Sequence, residues 1–323
     1  MWRSSPDCFV VKTPRNDTVY FMDTLNKILV REIVIDTIRK FFKDEGFHEI
    51  FTPILVPIPS IEPNLEVFKT ELRTSKGEKR DAYLTMSPEF SIKKLLSEGV
   101  GSVFEITKSF RNEEEVSSLH NPEFTMLEWY RVGANYFDVM NDFENLFIKI
   151  IGSNKLNYQG KTYDLTKPWP RIRIPDVIRE CPDEEFYKIF YNEVEPKLAK
   201  SNKPYFIYDY PISQASLSKP CRDNPNYAER FEVFLAGLEL GNCFSELTDA
   251  KMQRDRFEKD LEERKKMGKT IYPIDEDLIK ALERGLPEVS GIAVGVDRLI
   301  MLASNSAQVS DIISFPANEI FKI

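Results

Sequence analysis

The chain has 323 residues, of which 42% are hydrophobic and 30% are charged, and its formal net charge is -8. This length and apolar content are sufficient for one large domain, or for one domain with an insertion. The acidic balance disfavours a broad nucleic-acid surface, because duplex and tRNA binding depend on clustered lysine and arginine. It is compatible with a local basic patch, and it suits a basic protein partner.

The sequence contains four cysteines and two histidines: Cys8, Cys181, Cys221, Cys243, His48 and His120. The cysteines form no CxxC pair, so free thiols in a reducing cytoplasm are the simplest interpretation. Two histidines exclude a multi-histidine metal site and disfavour a Ser-His-Asp triad. The amino-terminal residues include no apolar run of signal-peptide length, and no segment has about 18 consecutive apolar residues. We therefore expect a soluble, cytoplasmic protein.

The first predicted element is a long amphipathic helix over residues 23–45, where apolar residues recur at helical spacing. The string FHEIFTPILVP predicts a strand that Pro53 and Pro57 interrupt. A short strand over residues 82–86 and a helix over residues 88–96 follow. This segment therefore alternates short extended and helical pieces.

Two β-type runs, at residues 103–110 and 125–132, predict an antiparallel hairpin with a long polar loop. A helix is predicted over residues 137–151, and residues 152–203 are interpreted as a peripheral insertion. A β-rich run follows at 205–210. The remaining predictions are strands at 230–239 and 242–247 interrupted at Gly241, a charged surface helix at 250–267, a helix at 275–284, a strand at 291–296 and a last helix from 297.

Antiparallel strand runs with appended helices indicate an α+β fold and not an alternating βαβ array. The sequence has no GxGxxG and no GxxxxGK[ST], so neither a Rossmann dinucleotide site nor a P-loop is predicted. Residues 1–323 are expected to form a single domain, with 152–203 as its insertion.

Arg111 closes a strand of mainly apolar residues, where a guanidinium can grip a phosphate or carboxylate through two parallel hydrogen bonds. A surface ion pair with Glu113 or Glu114 is the competing interpretation. Glu89 lies near a predicted helix start, where the helix dipole favours a carboxylate even without a ligand.

Glu239 and Glu246 are seven residues apart, so an unbroken strand would place them on opposite faces. A bulge at Gly241 would bring both carboxylates to one face. Two converging carboxylates suit Mg²⁺, which would also bind phosphate oxygens. Two unrelated glutamates on a solvated strand are the alternative.

The string GIAVGVDRL combines an open strand face with a helix start. Its small residues Gly291, Ala293 and Gly295 leave space for a flat ring against the backbone. Arg298 falls in the first turn of the following helix, where a cation is unfavourable unless an anion lies nearby. This indicates a phosphate, with tight helix–strand packing as the alternative.

Together these strings resemble the three signature motifs of the class II aminoacyl-tRNA synthetases. FTPIL resembles the first motif, FRNE with HNPEFTMLEWY the second, and GIAVGVDRL the third. HNPEFTMLEWY and LELGNCFSELTD resemble the lysyl branch of the aspartyl/asparaginyl/lysyl subgroup. The resemblance implies the class II catalytic fold, an antiparallel sheet flanked by helices. It also implies activation of a lysine-like amino acid with ATP and Mg²⁺, and a homodimer.

Within this family the chain resembles a truncated branch that ligates (R)-β-lysine to elongation factor P. YFIYDYP followed by SQASL carries this resemblance, as does Ala293, where the synthetases usually have glycine. The catalytic helix begins within the first few dozen residues, so we expect no anticodon-binding OB domain. The resemblance implies elongation factor P as acceptor and disfavours tRNA.

The resemblance also implies roles for individual residues. The implied ATP-binding set is Arg111, Asn112, Glu113, Asn121, Glu239, Leu240, Gly295 and Arg298. The implied substrate-binding set is Ser87, Pro88, Glu89, Glu128, Tyr130, Asn242, Glu246 and Ala293. Mg²⁺ is assigned to Glu239 and Glu246. The residues expected to act in the chemistry are Arg111, Glu239, Glu246 and Arg298.

Two other functions remain open from the sequence. One is a minimal lysyl-tRNA synthetase, or an enzyme that feeds another acceptor. The other is a non-catalytic protein on the same scaffold, which the retained phosphate-binding residues argue against. The loop at residues 114–119 is acidic, contains no arginine and is one residue longer than in the relatives, so the acceptor is also left open.

Overall fold

The computed structural model describes residues 24–113 and 116–322. The strands are β1 (His48–Glu49), β2 (Leu55–Val56), β3 (Phe68–Arg73), β4 (Lys79–Leu84), β5 (Val103–Phe110), β6 (Glu123–Val132), β7 (Lys155–Tyr158), β8 (Lys161–Asp164), β9 (Arg171–Arg173), β10 (Tyr205–Pro211), β11 (Tyr227–Leu235), β12 (Leu238–Ser245) and β13 (Val289–Gly295).

The helices are α1 (Thr24–Asp44), α2 (Glu89–Leu96), α3 (Tyr136–Ile151), α4 (Ile174–Val177), α5 (Asp183–Ile189), α6 (Glu195–Leu198), α7 (Ala250–Lys266), α8 (Glu276–Gly285), α9 (Val296–Ala303) and α10 (Ala317–Phe321). A π-helical turn at Phe190–Val194 joins α5 to α6. The predicted helix start at Asp23 lies outside the described residues, as do Glu114 and Glu115 of the polar loop. None of the described helices has both the length and the apolar character needed to cross a membrane.

The main sheet has the strand order β1-β5-β6-β13-β12-β11-β10-β9. Its central neighbours are antiparallel, whereas β1 is parallel to β5 and β9 is parallel to β10. The α+β fold with a helix-flanked antiparallel sheet is therefore confirmed. The edge strand β1 lies within the strand predicted from FHEIFTPILVP, whereas β9 was not predicted, because a run of three residues is too short to show an alternating pattern.

One face of the sheet packs against helices α1, α3 and α9. Val34, Ile38 and Phe42 recur every four residues on α1 and are buried. The Phe42 ring stacks on Phe104 of β5 at 4.9 Å and tilts against Trp129 of β6 at 5.0 Å between ring centroids. Because alternate strand residues point to opposite faces, the neighbours of Trp129 in β6 are directed to the other side of the sheet.

The hairpin of β11 and β12 differs from the prediction. The break between strands falls at Ala236 and Gly237, which both adopt left-handed φ values of 56° and 77°. Two successive left-handed residues form the two-residue turn that matches the twist of a hairpin. Gly241 lies inside β12 and does not end a strand, so the predicted interruption at Gly241 is wrong.

Residues 152–203 are less peripheral than predicted. β9 extends the main sheet beside β10, and Leu165 and Trp169 are buried in the same core as Phe42. The Trp169 ring stacks on Phe206 of β10 at 5.7 Å. The helical part, α4 to α6, forms a separate cluster of apolar residues against β10 and β11.

Helix α7 was predicted as a surface helix, yet Phe257 and Arg264 on it are completely buried. The Arg264 guanidinium donates to the carbonyl oxygens of Glu62 at 2.6 Å and Leu65 at 2.5 Å. It also donates from Nη2 to the Thr270 carbonyl at 2.9 Å. Arg264 thus fixes the segment that follows β2 against the carboxyl end of α7.

Candidate active site

A row of polar side chains crosses the sheet face opposite α1. Strand register places Glu105 opposite Glu128, Glu128 opposite Ala293, Ala293 opposite Asn242, and Asn242 opposite Glu232. Directly opposed residues in antiparallel strands point to the same side and lie about 4.5–5.5 Å apart at Cβ. The row therefore brings the predicted residues Glu128, Ala293 and Asn242 together.

Glu128 is a buried carboxylate held by two hydroxyl donors. Ser87 Oγ donates to its Oε1 at 2.5 Å, and Tyr130 Oη donates to its Oε2 at 3.1 Å. Burial and the nearby charge of Glu89 raise the pKa of Glu128 to about 8, although both hydroxyl contacts oppose the rise. A bound ammonium would restore the ionised form, because an opposite charge at close range stabilises the carboxylate.

Tyr130 depends on the glycine opposite it. Gly291 pairs with Tyr130 across β13 and β6, and a Cβ on Gly291 would lie only 2.2 Å from Cε1 of the Tyr130 ring. The missing side chain therefore makes room for this ring, not for a ligand. Gly295 is different, since a Cβ there would meet only the Arg298 side chain at 3.8 Å, which leaves the space that was predicted for a flat ring.

Glu89 and Glu246 converge on a lysine. Pro88 caps α2 and Glu89 begins it, so Lys93 lies one turn further on the same helix face. Lys93 Nζ is 2.6 Å from Glu89 Oε1 and 2.5 Å from Glu246 Oε2. Lys93 was not predicted from the sequence, because a lysine in a short helix is usually on the surface.

The predicted bulge in β12 is present, one position earlier than expected. Val233 pairs with Gly241 and Phe234 pairs with Glu239, so Leu240 is the extra residue. A bulge shifts the side-chain alternation by one residue. Glu239 consequently shares a sheet face with Asn242, and the buried Leu240 points away from it.

The carboxylate beside Glu239 is that of Glu232. Burial raises the pKa of Glu239, and Glu232 is the charged group that raises it further, while Arg298, Arg230 and Arg111 act in the opposite direction. Glu246 instead contacts Lys93. Glu232 is thus a further carboxylate near Glu239, and the assignment of Mg²⁺ to Glu239 and Glu246 remains a prediction.

Two carboxylates on neighbouring strands suit a hard cation that takes further oxygens from phosphates. Glu232 Oε2 accepts from Tyr210 Oη at 2.8 Å and Oε1 accepts from Arg230 Nη2 at 2.5 Å. No group of three or more His, Cys, Asp or Glu side chains in the described ranges forms a metal cage by itself. The donor set at Glu232 and Glu239 therefore fits Mg²⁺ only together with nucleotide oxygens.

Arginines line the region beside Glu239. Arg298 Nη1 donates to the Glu239 carbonyl oxygen at 2.6 Å, and its Nη2 lies 3.0 Å from His120 Nε2. Arg111 directly follows β5, and its guanidinium carbon lies 5.2 Å from the centroid of the Phe124 ring. Arg111, Arg230 and Arg298 all lower the pKa of Glu239, which indicates three cations around one position. Such a cluster favours a polyanion.

Some of the residues predicted to bind ATP form hydrogen bonds with other parts of the protein. Asn121 Nδ2 donates to the Glu123 carbonyl at 2.6 Å, and Asn121 Oδ1 accepts from the Ala317 backbone N–H at 2.9 Å. The Asn112 backbone N–H donates to the Glu66 carbonyl at 2.9 Å. Glu113 is exposed and adopts a left-handed φ of 58°. Their nucleotide roles remain predictions.

Glu62 is another buried carboxyl that was not predicted from the sequence. Burial raises its pKa to about 7, Glu89 adds to the rise, and Arg111 opposes it. The Glu62 carboxyl therefore interacts electrostatically with Glu89, which belongs to the acidic pocket formed by Glu89, Glu128 and Glu246, and with Arg111 of the arginine cluster. Its segment has no strand or helix signal, and long-range hydrogen bonds hold it in place, among them Arg264 to the Glu62 carbonyl and Tyr272 to the Ser60 carbonyl.

Comparison with known proteins identifies the class. The family model described as tRNA synthetases class II (D, K and N) matches residues 18–319. The chain belongs to this family of class II tRNA synthetases, whose members are ATP-dependent and generally use Mg²⁺. A protein of Yersinia pestis (strain Pestoides F) and one of Yersinia pseudotuberculosis serotype O:1b (strain IP 31758) are each 38% identical to it over 310 residues, which cover 90% of this chain and 95% of each relative. Both relatives are named elongation factor P--(R)-beta-lysine ligase.

Proposed function

We propose that this chain is an ATP-dependent, AMP-forming ligase. It activates (R)-β-lysine, or lysine, as an aminoacyl-adenylate and transfers it to a lysine side chain of elongation factor P. The observation that carries the proposal is the juxtaposition, on one sheet face, of a buried acidic pocket and an arginine cluster. The names of relatives that are 38% identical over 90% of the chain support the choice of substrate and acceptor.

The acidic pocket explains recognition of a diamino acid. Such a substrate carries two ammonium groups, and each charge-assisted hydrogen bond contributes about 1.5–3 kcal/mol. Glu128, supported by Ser87 and Tyr130, would receive one ammonium, and Glu89 the other. Ala293 lies directly opposite Glu128, so its methyl group would limit the space along the substrate.

The chemistry requires no protein nucleophile. The substrate carboxylate attacks the α-phosphorus of ATP in line, and pyrophosphate leaves. Arg111 and Arg298 would stabilise the charge that develops on the phosphates. The amine of the acceptor lysine then attacks the adenylate carbonyl, loses a proton, and AMP leaves. Mg²⁺, held by Glu239 with Glu232, would neutralise phosphate charge.

We also propose that the protein is a homodimer and acts in the cytoplasm. The residues around Pro53 are apolar and exposed, with Phe51 77% exposed and Ile54 and Leu55 about half as exposed at 38% and 43%. Exposed apolar clusters favour association, which supports a homodimer through this segment. The protein acceptor is a translation factor, so the reaction is placed in the cytoplasm. The net charge of -8 supports a protein acceptor over tRNA.

ATP–pyrophosphate exchange with α-lysine, (R)-β-lysine and (S)-β-lysine tests the activation step. Transfer of the labelled amino acid to purified elongation factor P and to tRNA then tests the acceptor. Exchange with (R)-β-lysine and labelling of the protein are expected. Exchange with α-lysine together with labelling of tRNA would make the chain a minimal lysyl-tRNA synthetase, and no exchange with any isomer would favour a non-catalytic protein.

The pKa of Glu128 predicts a pH dependence. Because this pKa is raised to about 8, the carboxyl is protonated at lower pH and must lose its proton before it can pair with an ammonium. kcat/KM for the amino acid is therefore expected to rise with pH and to level off above about 8, when measured by exchange between roughly pH 6 and 9. Glu128→Gln should remove the contribution of Glu128 to this rise and lower kcat/KM about 100-fold. A profile that is flat below pH 8 in the wild type would contradict the assignment.

A further inference from the structure

Tyr208 and Tyr210 point to opposite faces of the main sheet, although they are only two residues apart on β10. The Tyr208 ring contacts the rings of Tyr136 and Phe137 of α3, at 6.1 and 5.5 Å between centroids. Tyr210 Oη instead donates to Glu232 Oε2 at 2.8 Å, on the face of the candidate active site. Residues two apart in a regular strand share one face, so the residue between the two tyrosines must change the alternation.

Asp209 provides this change. Its φ is 61°, in the left-handed region, although it lies inside a strand and not in a turn. The register between β10 and β11 shifts at this position, where Asp209 alone faces two residues of β11, Glu229 and Arg230. Such irregularities redirect a side chain, and they are frequent next to active sites. The conformation is uncommon for residues with a Cβ, but aspartate adopts it more readily than most.

Two hydrogen bonds hold Asp209 from the side of α3. The buried carboxylate accepts from Tyr136 Oη at 2.7 Å through Oδ1 and from Arg173 Nε at 2.6 Å through Oδ2. Tyr136 begins α3 and Arg173 ends β9, so the two contacts join β10 to two other elements. A left-handed residue of this kind persists only where the surrounding structure enforces it, and these contacts do so.

Tyr210 contacts both members of an ion pair. Its hydroxyl donates to Glu232, and its ring centroid lies 4.5 Å from the guanidinium carbon of Arg230. Arg230 in turn donates to Glu232 Oε1 at 2.5 Å and to Asn242 Oδ1 at 3.1 Å. Arg230 is also one of the three arginines around Glu239. The direction of the Tyr210 side chain therefore affects the end of the site where the phosphates are expected.

We propose that Asp209 is a positioning residue for ATP binding, because its left-handed backbone directs Tyr210 onto the face of the active site. There Tyr210 holds Glu232 and Arg230 in place beside the nucleotide. The assignment of this end of the site to ATP rests on the proposed function. The effect of Asp209 on the direction of Tyr210 rests only on the geometry of β10 and its neighbours.

Two substitutions of Asp209 test this role. Asp209→Ala removes both hydrogen bonds and disfavours the left-handed conformation, whereas Asp209→Asn keeps that preference and a carbonyl oxygen that can accept from Tyr136. Asp209→Ala is expected to weaken ATP binding about 10-fold, by calorimetry in the presence of Mg²⁺, and to raise KM for ATP equally in pyrophosphate exchange. KM for the amino acid should change less than about twofold, and Asp209→Asn should recover most of the affinity for ATP.

Asn305→Ala is the matched control for a loss of stability. Asn305 follows α9, is exposed and has a left-handed φ of 56°, and its Oδ1 accepts from the Gln159 backbone N–H at 2.7 Å. Both alanine variants should unfold at a lower temperature than the wild type. ATP affinity and both KM values should be unchanged in Asn305→Ala, and a loss of ATP affinity equal to that of Asp209→Ala would overturn the proposal.

A double-mutant cycle with Tyr210→Phe tests whether Asp209 acts through Tyr210. Tyr210→Phe keeps the ring and removes the hydroxyl, so it should fold and bind ATP more weakly. The double variant should bind ATP about as weakly as Asp209→Ala alone, because the hydroxyl is already displaced. Additive losses would overturn the proposal. If Asp209→Ala does not fold, Tyr136→Phe replaces it in the cycle, since it removes one of the two hydrogen bonds and leaves Asp209 in place.

A crystal structure of Asp209→Ala tests the geometry without activity. Tyr210 Oη is expected to have lost its contact with Glu232, and a Tyr210 side chain in its original position would overturn the proposal. If the wild type binds ATP but exchanges with no lysine isomer, while the variants differ as expected, the proposed function fails and the positioning role of Asp209 stands. Absence of ATP binding in the wild type would overturn both.

Discussion

Replacement of Arg111 by alanine should abolish ATP–pyrophosphate exchange, with a loss of roughly 10³-fold or more in kcat/KM, while the protein remains folded. Arg111 follows β5 at the edge of the arginine cluster around Glu239, where the phosphates are expected. Its removal would take away a cation that acts on the charge developing at the reacting phosphorus. The measurement is exchange activity together with far-UV circular dichroism and thermal unfolding.

The fold should tolerate this change, because the contact of Arg111 with the Phe124 ring is a cation–π interaction worth about 1 kcal/mol. Lys108→Ala is the matched control on the same strand, since Lys108 is half exposed and pairs with Glu123 at 3.2 Å. A surface pair of this kind contributes about 0–1 kcal/mol, so exchange should be retained in the control. Retained exchange in Arg111→Ala would rule out the phosphate role of Arg111.

Gly291→Ala should impair both stability and amino acid binding. The new Cβ would lie 2.2 Å from Cε1 and 2.4 Å from Cδ1 of Tyr130, and Gly291 belongs to a central strand with neighbours on both sides. Overpacking of this kind costs about 1–3 kcal/mol, and we expect the upper end of this range. The displaced ring would also withdraw its hydroxyl from Glu128, so KM for the amino acid should rise more than KM for ATP.

A double-mutant cycle tests this explanation. If the steric conflict with Tyr130 is the cause, Gly291→Ala should add little to the loss already produced by Tyr130→Ala, because the ring is then absent. Thermal unfolding and amino acid KM are measured for both single variants and the double variant. Independent, additive losses would show that Gly291 acts through something other than the Tyr130 ring.

Several local features were predictable because neighbouring residues specify them. The antiparallel pair β5 and β6 was expected at residues 103–110 and 125–132, and it is observed at Val103–Phe110 and Glu123–Val132. Helix α3 begins two residues before Asp138, where Asn135 and Asp138 form a reciprocal cap, and it ends before the left-handed Gly152. These signals depend on side-chain alternation and capping within a few residues.

The sequence predicts that β12 contains a bulge, but it does not show which residue is the extra one. The spacing of Glu239 and Glu246 required a change of alternation, yet only the pairing with β11 shows that Leu240 is the extra residue. Likewise, the turn at Ala236 and Gly237 depends on left-handed backbone conformations. An alanine in this conformation has no sequence signal, because it is uncommon for residues with a Cβ.

The family, the α+β class and the separation of acidic and arginine-containing motifs follow from the sequence alone, because each motif is a short contiguous string. Which charged side chains lie close together depends on the tertiary structure. The register of four strands aligns Glu128 with Ala293 and Asn242 and sets Glu232 on the same face as Glu239. Packing of α2 against the sheet inserts Lys93 between Glu89 and Glu246, residues four and more than a hundred positions away. Interactions between charges depend on distance and burial, and neither quantity can be obtained from positions that are far apart in the chain.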